Sequence, residues 1–177
     1  MKSSQLLLIL AAALVLIPAT SARAQEDGNE VRIKVSQLPG AVVQSIKTNC
    51  PTCVIDKASR EVENGVTVYD IEFKRGQGEI ALTEDGFVVD RETVAKPSEI
   101  PAPALAAIRS AGGKIRQIVK DQVYAELKDG NVIKLDAPKY LYEADLVKGN
   151  QVAEIVASAE GQIVEAPRWR KKGTPEN

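Results

Sequence analysis

The sequence predicts an α+β protein of two tandem repeats, each a short helix packed on an antiparallel four-stranded sheet. Three observations predict it. Two matching helix starts lie 62 residues apart (36 to 98, 46 to 108). Period-2 strands follow each of them, and an acid-Gly turn, Asp85-Gly86 or Glu160-Gly161, precedes the last strand of each unit. With 44% apolar but only 4% aromatic residues, the core must lean on Val, Ile, Leu and Ala. That suits a sheet under small helices better than a cleft for a large planar cofactor.

Residues 1–24 have the three-part order of a secretory signal peptide. Lys2 supplies the positive start, 6–17 is unbroken apolar sequence ended by Pro18, and Ala22-Arg23-Ala24 sets small residues where a signal peptidase reads. Cleavage is expected after Ala24. The apolar stretch is shorter than the roughly 20 residues of a spanning helix, no second one follows, and no Cys marks a lipid anchor. A periplasmic or secreted protein without membrane insertion is therefore expected. Losing Lys2 and Arg23 from 23 bases and 24 acids leaves 21 against 24, a balance with no general footprint for nucleic acid.

Residues 25–34 read as a flexible N-terminus or a first strand, 35–92 as the first repeat and 93–166 as the second. Ser36, Leu38, Pro39, Val43, Ser45, Ile46 and Lys47 match Ser98, Ile100, Pro101, Leu105, Ala107, Ile108 and Arg109. Serine caps a first turn, proline is tolerated there because its missing N–H had no partner, and aliphatics follow at helical spacing. The stripes are Val42, Val43 and Ile46, then Leu105 and Ile108. First strands are expected at 54–60 and 114–120.

Tyr69, Ile71 and Phe73 alternate with polar residues as a half-buried strand should, and 142–146 resembles this stretch. Residues 79–82 and 86–89 then match 154–157 and 161–164 around the acid-Gly turns, whose glycines suit a positive φ. The spacing grows from 62 to 75 (79 to 154), so the second repeat carries 13 extra residues. Tyr124, Asp129-Gly130 and Leu135 mark them as an inserted hairpin within 124–139. Gly76, Gly78, Gly112 and Gly113 read as turn geometry rather than a phosphate loop.

The Leu-Pro or Ile-Pro helix start, the Tyr-x-apolar-x-apolar strand and the closing acid-Gly-x-apolar-apolar run resemble the PepSY-like domains of exported bacterial proteins, over residues 35–166. The resemblance implies a fold related to the β-lactamase-inhibitor protein and a binding or inhibitory role with no catalytic residues. Many members have an aromatic-Pro-Gly turn after the first helix, where this chain has Asn49-Cys50-Pro51-Thr52-Cys53.

Cys50 and Cys53 are the only cysteines. In an exported protein such a pair reads first as a disulfide fixing the turn after the helix. A redox role wants a helix N-terminus, which lowers a thiol's pKa, but this pair sits at a C-terminal end. Zinc would need carboxylates to complete its ligands. A thiol-disulfide or metal-handling envelope protein is the alternative reading. No haem attachment is expected, because the chain has no His.

Without His, nucleophilic catalysis would need a Ser–Lys pairing that no motif supports, so neither an enzyme nor a cofactor is expected. Residues 167–177 form a basic, flexible tail, in which Trp169 lies between Arg168 and Arg170. Trp and Arg are favoured contact residues, so these three, with Tyr140 and Tyr142, are candidates for binding another envelope or secreted protein. Phe87 and Tyr69 are further aromatics on strands, Tyr69 on the core face.

Overall fold

A computed structural model describes residues 30–174. The leader expected over 1–24, its cleavage after Ala24, residues 25–29 and the last three residues lie outside them. One antiparallel sheet runs through the described residues. In chain order its strands are β1 Val31–Arg32, β2 Ile55–Glu63, β3 Val66–Phe73, β4 Glu79–Thr83, β5 Val88–Val94, β6 Lys114–Lys128, β7 Asn131–Lys148, β8 Gln151–Ser158, β9 Ile163–Glu165 and β10 Arg170–Lys171. Each strand from β1 to β8 pairs with its neighbour in that order, apart from the intervening helices, and both β9 and β10 pair with β8. Among the described residues two α-helices, α1 Gly40–Asn49 and α2 Ala102–Ser110, accompany the sheet.

This corrects the expected architecture. The sequence does not make two four-stranded sheets, each under its own helix; it makes a single ten-stranded sheet. The two halves fuse where β5 pairs β6, from Asp90 opposite Val123 to Val94 opposite Val119. A free four-stranded unit would leave β5 with an unpaired edge. Pairing it with the next strand satisfies those backbone groups and removes an aggregation-prone edge.

Both helices lie on one side of this sheet, and strand alternation shows why. Tyr69, Ile71 and Phe73 of β3, with Ile80 and Leu82 of β4 and Ala58 of β2, meet Leu38, Val42 and Ile46. Tyr142, Ala144 and Leu146 of β7, with Ile118, Ile155 and Ala157, meet Ile100, Ala104 and Ile108. Each helix has about three turns, too short to hold alone in water, so packing on the sheet stabilises it. Serine does not cap either helix. Pro39 and Pro101 take the N-cap positions with no side-chain bond. Ser36 and Ser98 fall in short 3-10 turns upstream, where the Gln37 and Glu99 side chains accept the backbone N–H groups of Lys34 and Lys96, each at 2.8 Å.

The extra residues of the second half form a hairpin that is continuous with β6 and β7 as their distal part, beyond the reach of β5 and β8. The register shifts between Val123 and Ala125, and the arm curls so that Leu127 joins Val66, Val68, Ala81 and Val89 on the helix-free side. Its turn, Asp129-Gly130, has positive φ at both residues, as does Asn64-Gly65 between β2 and β3. This is the pattern that right-twisted two-residue hairpins require. The two tips touch: Gly130 N–H donates to the Asn64 carbonyl at 2.7 Å.

Candidate functional site

The turn after α1 holds Cys50 and Cys53, which are joined as a disulfide with their Cα atoms 5.3 Å apart. Cys50 ends the helix, its N–H donating to Ile46 O at 2.8 Å, and Cys53 N–H returns to Cys50 O at 3.1 Å. Both half-buried sulfur side chains pack against the first core. The negative end of the helix dipole disfavours a thiolate at this site, which favours the closed bond. Its loop is small, and the Cys50→Ser, Cys53→Ser double variant is expected to lose about 2 kcal/mol or less in urea denaturation while keeping its fold.

The basic segment is not at the same place as the tyrosines. Arg170 and Lys171 form β10 against β8, and the Arg170 Nη1 donates to Thr174 O at 3.1 Å. Trp169 is half-buried against the second core. Its Cη2 would stand 2.7 Å from a Cβ added at Gly113, and Lys148 Nζ lies 6.0 Å from its ring. Arg168 is exposed. Tyr142 is buried under α2, whereas Tyr140, two residues earlier on the same side, is 39% exposed.

Tyr140 belongs to a cluster that single-strand patterns do not reveal. Register places Arg91, Gln122 and Tyr140 opposite one another on β5, β6 and β7, with Thr93, Lys120 and Tyr142 in the next helix-side row. Gln122 Nε2 donates to the Tyr140 hydroxyl at 3.1 Å, and Lys120 Nζ lies 5.7 Å from the Tyr140 ring. Burial raises the pKa of the Tyr124 hydroxyl, opposed by the nearby Arg91 cation and reinforced by Tyr140.

The helix-free side carries the opposite charge. Glu72, Glu79, Glu92 and Asp121 stand directly opposite one another on β3, β4, β5 and β6. Lys57 closes the row on β2, its ammonium 2.5 Å from Glu72. Asp70 and Asp90 flank Ala81 in the next row. A concavity of about 260 Å³ opens beside these rows, lined by Asp56, Glu72, Glu79, Glu92, Val94 and Val119 among others. Neighbouring strands lie about 4.8 Å apart, and like charges directly opposite destabilise a sheet. The row is therefore held against a stability cost.

Asp70 shows that cost. Burial, then Glu61, Glu79 and Asp90, raise its pKa from 3.8 to about 8. The folded state thus keeps a proton that the unfolded chain has released, so stability falls as pH rises from about 4 to about 8 and is flat beyond. Asp70→Asn removes this dependence. Allowing for partial exposure, it should gain about 2 kcal/mol over the parent at pH 8 and nothing at pH 4, read from denaturation midpoints. Among the described residues, no group of three or more His, Cys, Asp or Glu could hold a metal ion, and no helix is long and apolar enough to cross a membrane.

No family model and no curated protein matches the chain. Solved structures do. A protein from Bacteroides eggerthii DSM 20697 described as periplasmic superposes with a TM-score of 0.51 at 15% identity, over 75% of this chain and 88% of its own. A DUF2874-family protein from Bacteroides uniformis ATCC 8492 gives 0.50 at 15% identity over the same shares. A BLIP-like protein from Bacteroides fragilis NCTC 9343 gives 0.48 at 13%, over 78% and 92%. At such identities the likeness is one of fold, and it is the fold of the first two proteins that this chain shares.

Proposed function

We propose that the chain is an exported, non-enzymatic module that binds another envelope or secreted protein through the helix-free side of its sheet. The observation that carries this reading is the carboxylate row Glu72, Glu79, Glu92 and Asp121, in register across four strands. Such a row favours a lysine- or arginine-rich surface, steering its approach and fixing its register. Val94 and Val119, paired beside the row, add apolar contact. Export is supported by the leader read in the sequence and by a fold shared with a protein described as periplasmic.

We read the matching helix starts as the mark of a duplicated PepSY-like sequence unit. In support, Gly86 and Gly161 approach α1 and α2 alike: an added Cβ would stand 2.6 Å from the Ala41 carbonyl oxygen in one and 2.7 Å from that of Pro103 in the other. Nothing in the Cys50–Cys53 environment favours the thiol-redox alternative.

The test is crosslinking capture from the native envelope with the parent and with Glu79→Lys, Glu92→Lys. A partner held by the parent, lost with the reversed pair and carrying a basic surface supports the reading. Equal capture by both proteins refutes it.

A further inference from the structure

The helix side of the sheet carries a second surface. α1 is centred on β3, since its core partners come from β2, β3 and β4. α2 lies over β7 and β8, with partners from β6, β7 and β8 and its backbone nearest β8. Four strand steps separate β3 from β7, about 19 Å at about 4.8 Å each. Subtracting one helix diameter of about 10 Å leaves a groove about 9 Å wide. An extended polypeptide fits that width.

The floor of this groove is cationic, donor-rich and aromatic. Arg91 and Thr93 come from β5, Lys120 and Gln122 from β6, and Tyr140 from β7, all on the helix side by register. Gln122 and Lys120 both engage Tyr140, so the ring is held in place before any partner arrives. Preorganised Tyr and Arg in the centre of a concave surface are the residue types that dominate binding energy. Near the ends of the groove Asp85 is tied to the Thr83 hydroxyl and Glu160 to Ser158.

We propose that this groove docks an acidic, extended segment of a partner protein, its carboxylates meeting Arg91 and Lys120 while an apolar side chain covers Tyr140. The choice of occupant rests on charge complementarity, since the groove presents cations and N–H or O–H donors where the opposite side of the sheet presents carboxylates. It goes beyond the reading of the helix-free side and does not depend on it.

The test uses fluorescein-labelled poly-L-glutamate as probe and the full mature chain, followed by anisotropy at low salt. Binding by the parent is expected, with affinity about tenfold or more weaker in Arg91→Glu, Lys120→Glu and about threefold or more in Tyr140→Ala. Arg168→Glu, Lys172→Glu, reversed at the tail, should leave it within about twofold. Circular dichroism checks that each variant is folded. No binding by the parent, or equal losses for groove and tail reversals, overturns the proposal. So does a sedimentation shift showing that a second copy fills the groove in the absence of probe. Glu79→Lys, Glu92→Lys should still bind poly-L-glutamate, so failure of the helix-free surface and failure of the groove are read separately.

Discussion

Replacing Gly78 with alanine should leave the protein unfolded or nearly so. Gly78 leads into β4 at a φ of +95°, a conformation that costs an L-residue about 1–2 kcal/mol. Steric conflict adds more. An added Cβ would stand 1.9 Å from the Glu92 carbonyl oxygen, 2.9 Å from its carbon and 3.2 Å from Thr93 Cα. All three are backbone atoms of β5, held by ladders to β4 and β6, and they cannot move as a side chain would. Gly78 O also accepts the Phe73 N–H at 3.0 Å, which closes the β3–β4 connection. A loss of about 4 kcal/mol or more is expected. Gly149→Ala is the control, since it shares the positive φ (60°) but nothing lies within 4 Å of its added Cβ. It should lose about 1–2 kcal/mol. Urea midpoints decide, and equal losses at the two glycines would contradict the close approach of β4 to β5.

The second large effect falls on binding. Glu79→Lys, Glu92→Lys changes the centre of the carboxylate row by four charges, and affinity for a basic partner should fall about a hundredfold at low salt. The loss should shrink as salt screens the remaining field, because the side chains stand on a solvated surface. The same substitution makes two of the row's three direct oppositions, those to Glu72 and Asp121, attractive and leaves one like-charge pair between the reversed positions, so the folded state should gain about 0.5–1 kcal/mol. Improved stability with weakened binding is a combination that a merely structural role for these residues would not produce. Isothermal titration at two salt concentrations, paired with thermal melts, measures both.

Much of this architecture was legible in residues, and the part that was not depended on pairing. Val42, Ile46 and Ile108 announce their buried stripes by helical spacing, and Tyr69, Ile71 and Phe73 announce theirs by alternation. Ala104, fully buried in α2, gives no such sign, because alanine carries little hydrophobic signal. The serines drew the helix starts too early, because a short 3-10 turn satisfied by Gln37 or Glu99 looks in sequence like a capped first turn. The single sheet was not visible, because nothing local in β5 says that its free edge is completed by β6.

The candidate surfaces escaped for the same reason. Glu72, Glu79, Glu92 and Asp121 are scattered along the chain as ordinary solvated acids. They become a row only through the registers of β3–β4, β4–β5 and β5–β6. Arg91, Lys120 and Gln122 join Tyr140 by the same route. Trp169 drew attention for its basic neighbours, yet its ring is half-buried by Gly113 and the second core. Sequence placed Tyr69, Tyr140 and Tyr142 on strands, but Phe87 falls in the turn before β5, and sequence had no means to say which side of a shared sheet was covered.

The central claim, that the helix-free side is the binding surface, is tested most directly by a methyl-labelled NMR titration with the captured basic partner. Val94 and Val119 lie beside the carboxylate row, and Val88 faces the helix side of β5. The account predicts large shifts at Val94 and Val119, with Val88 and Val42 unmoved. Shifts confined to Val88 and its helix-side neighbours, with Val94 and Val119 silent, would contradict it.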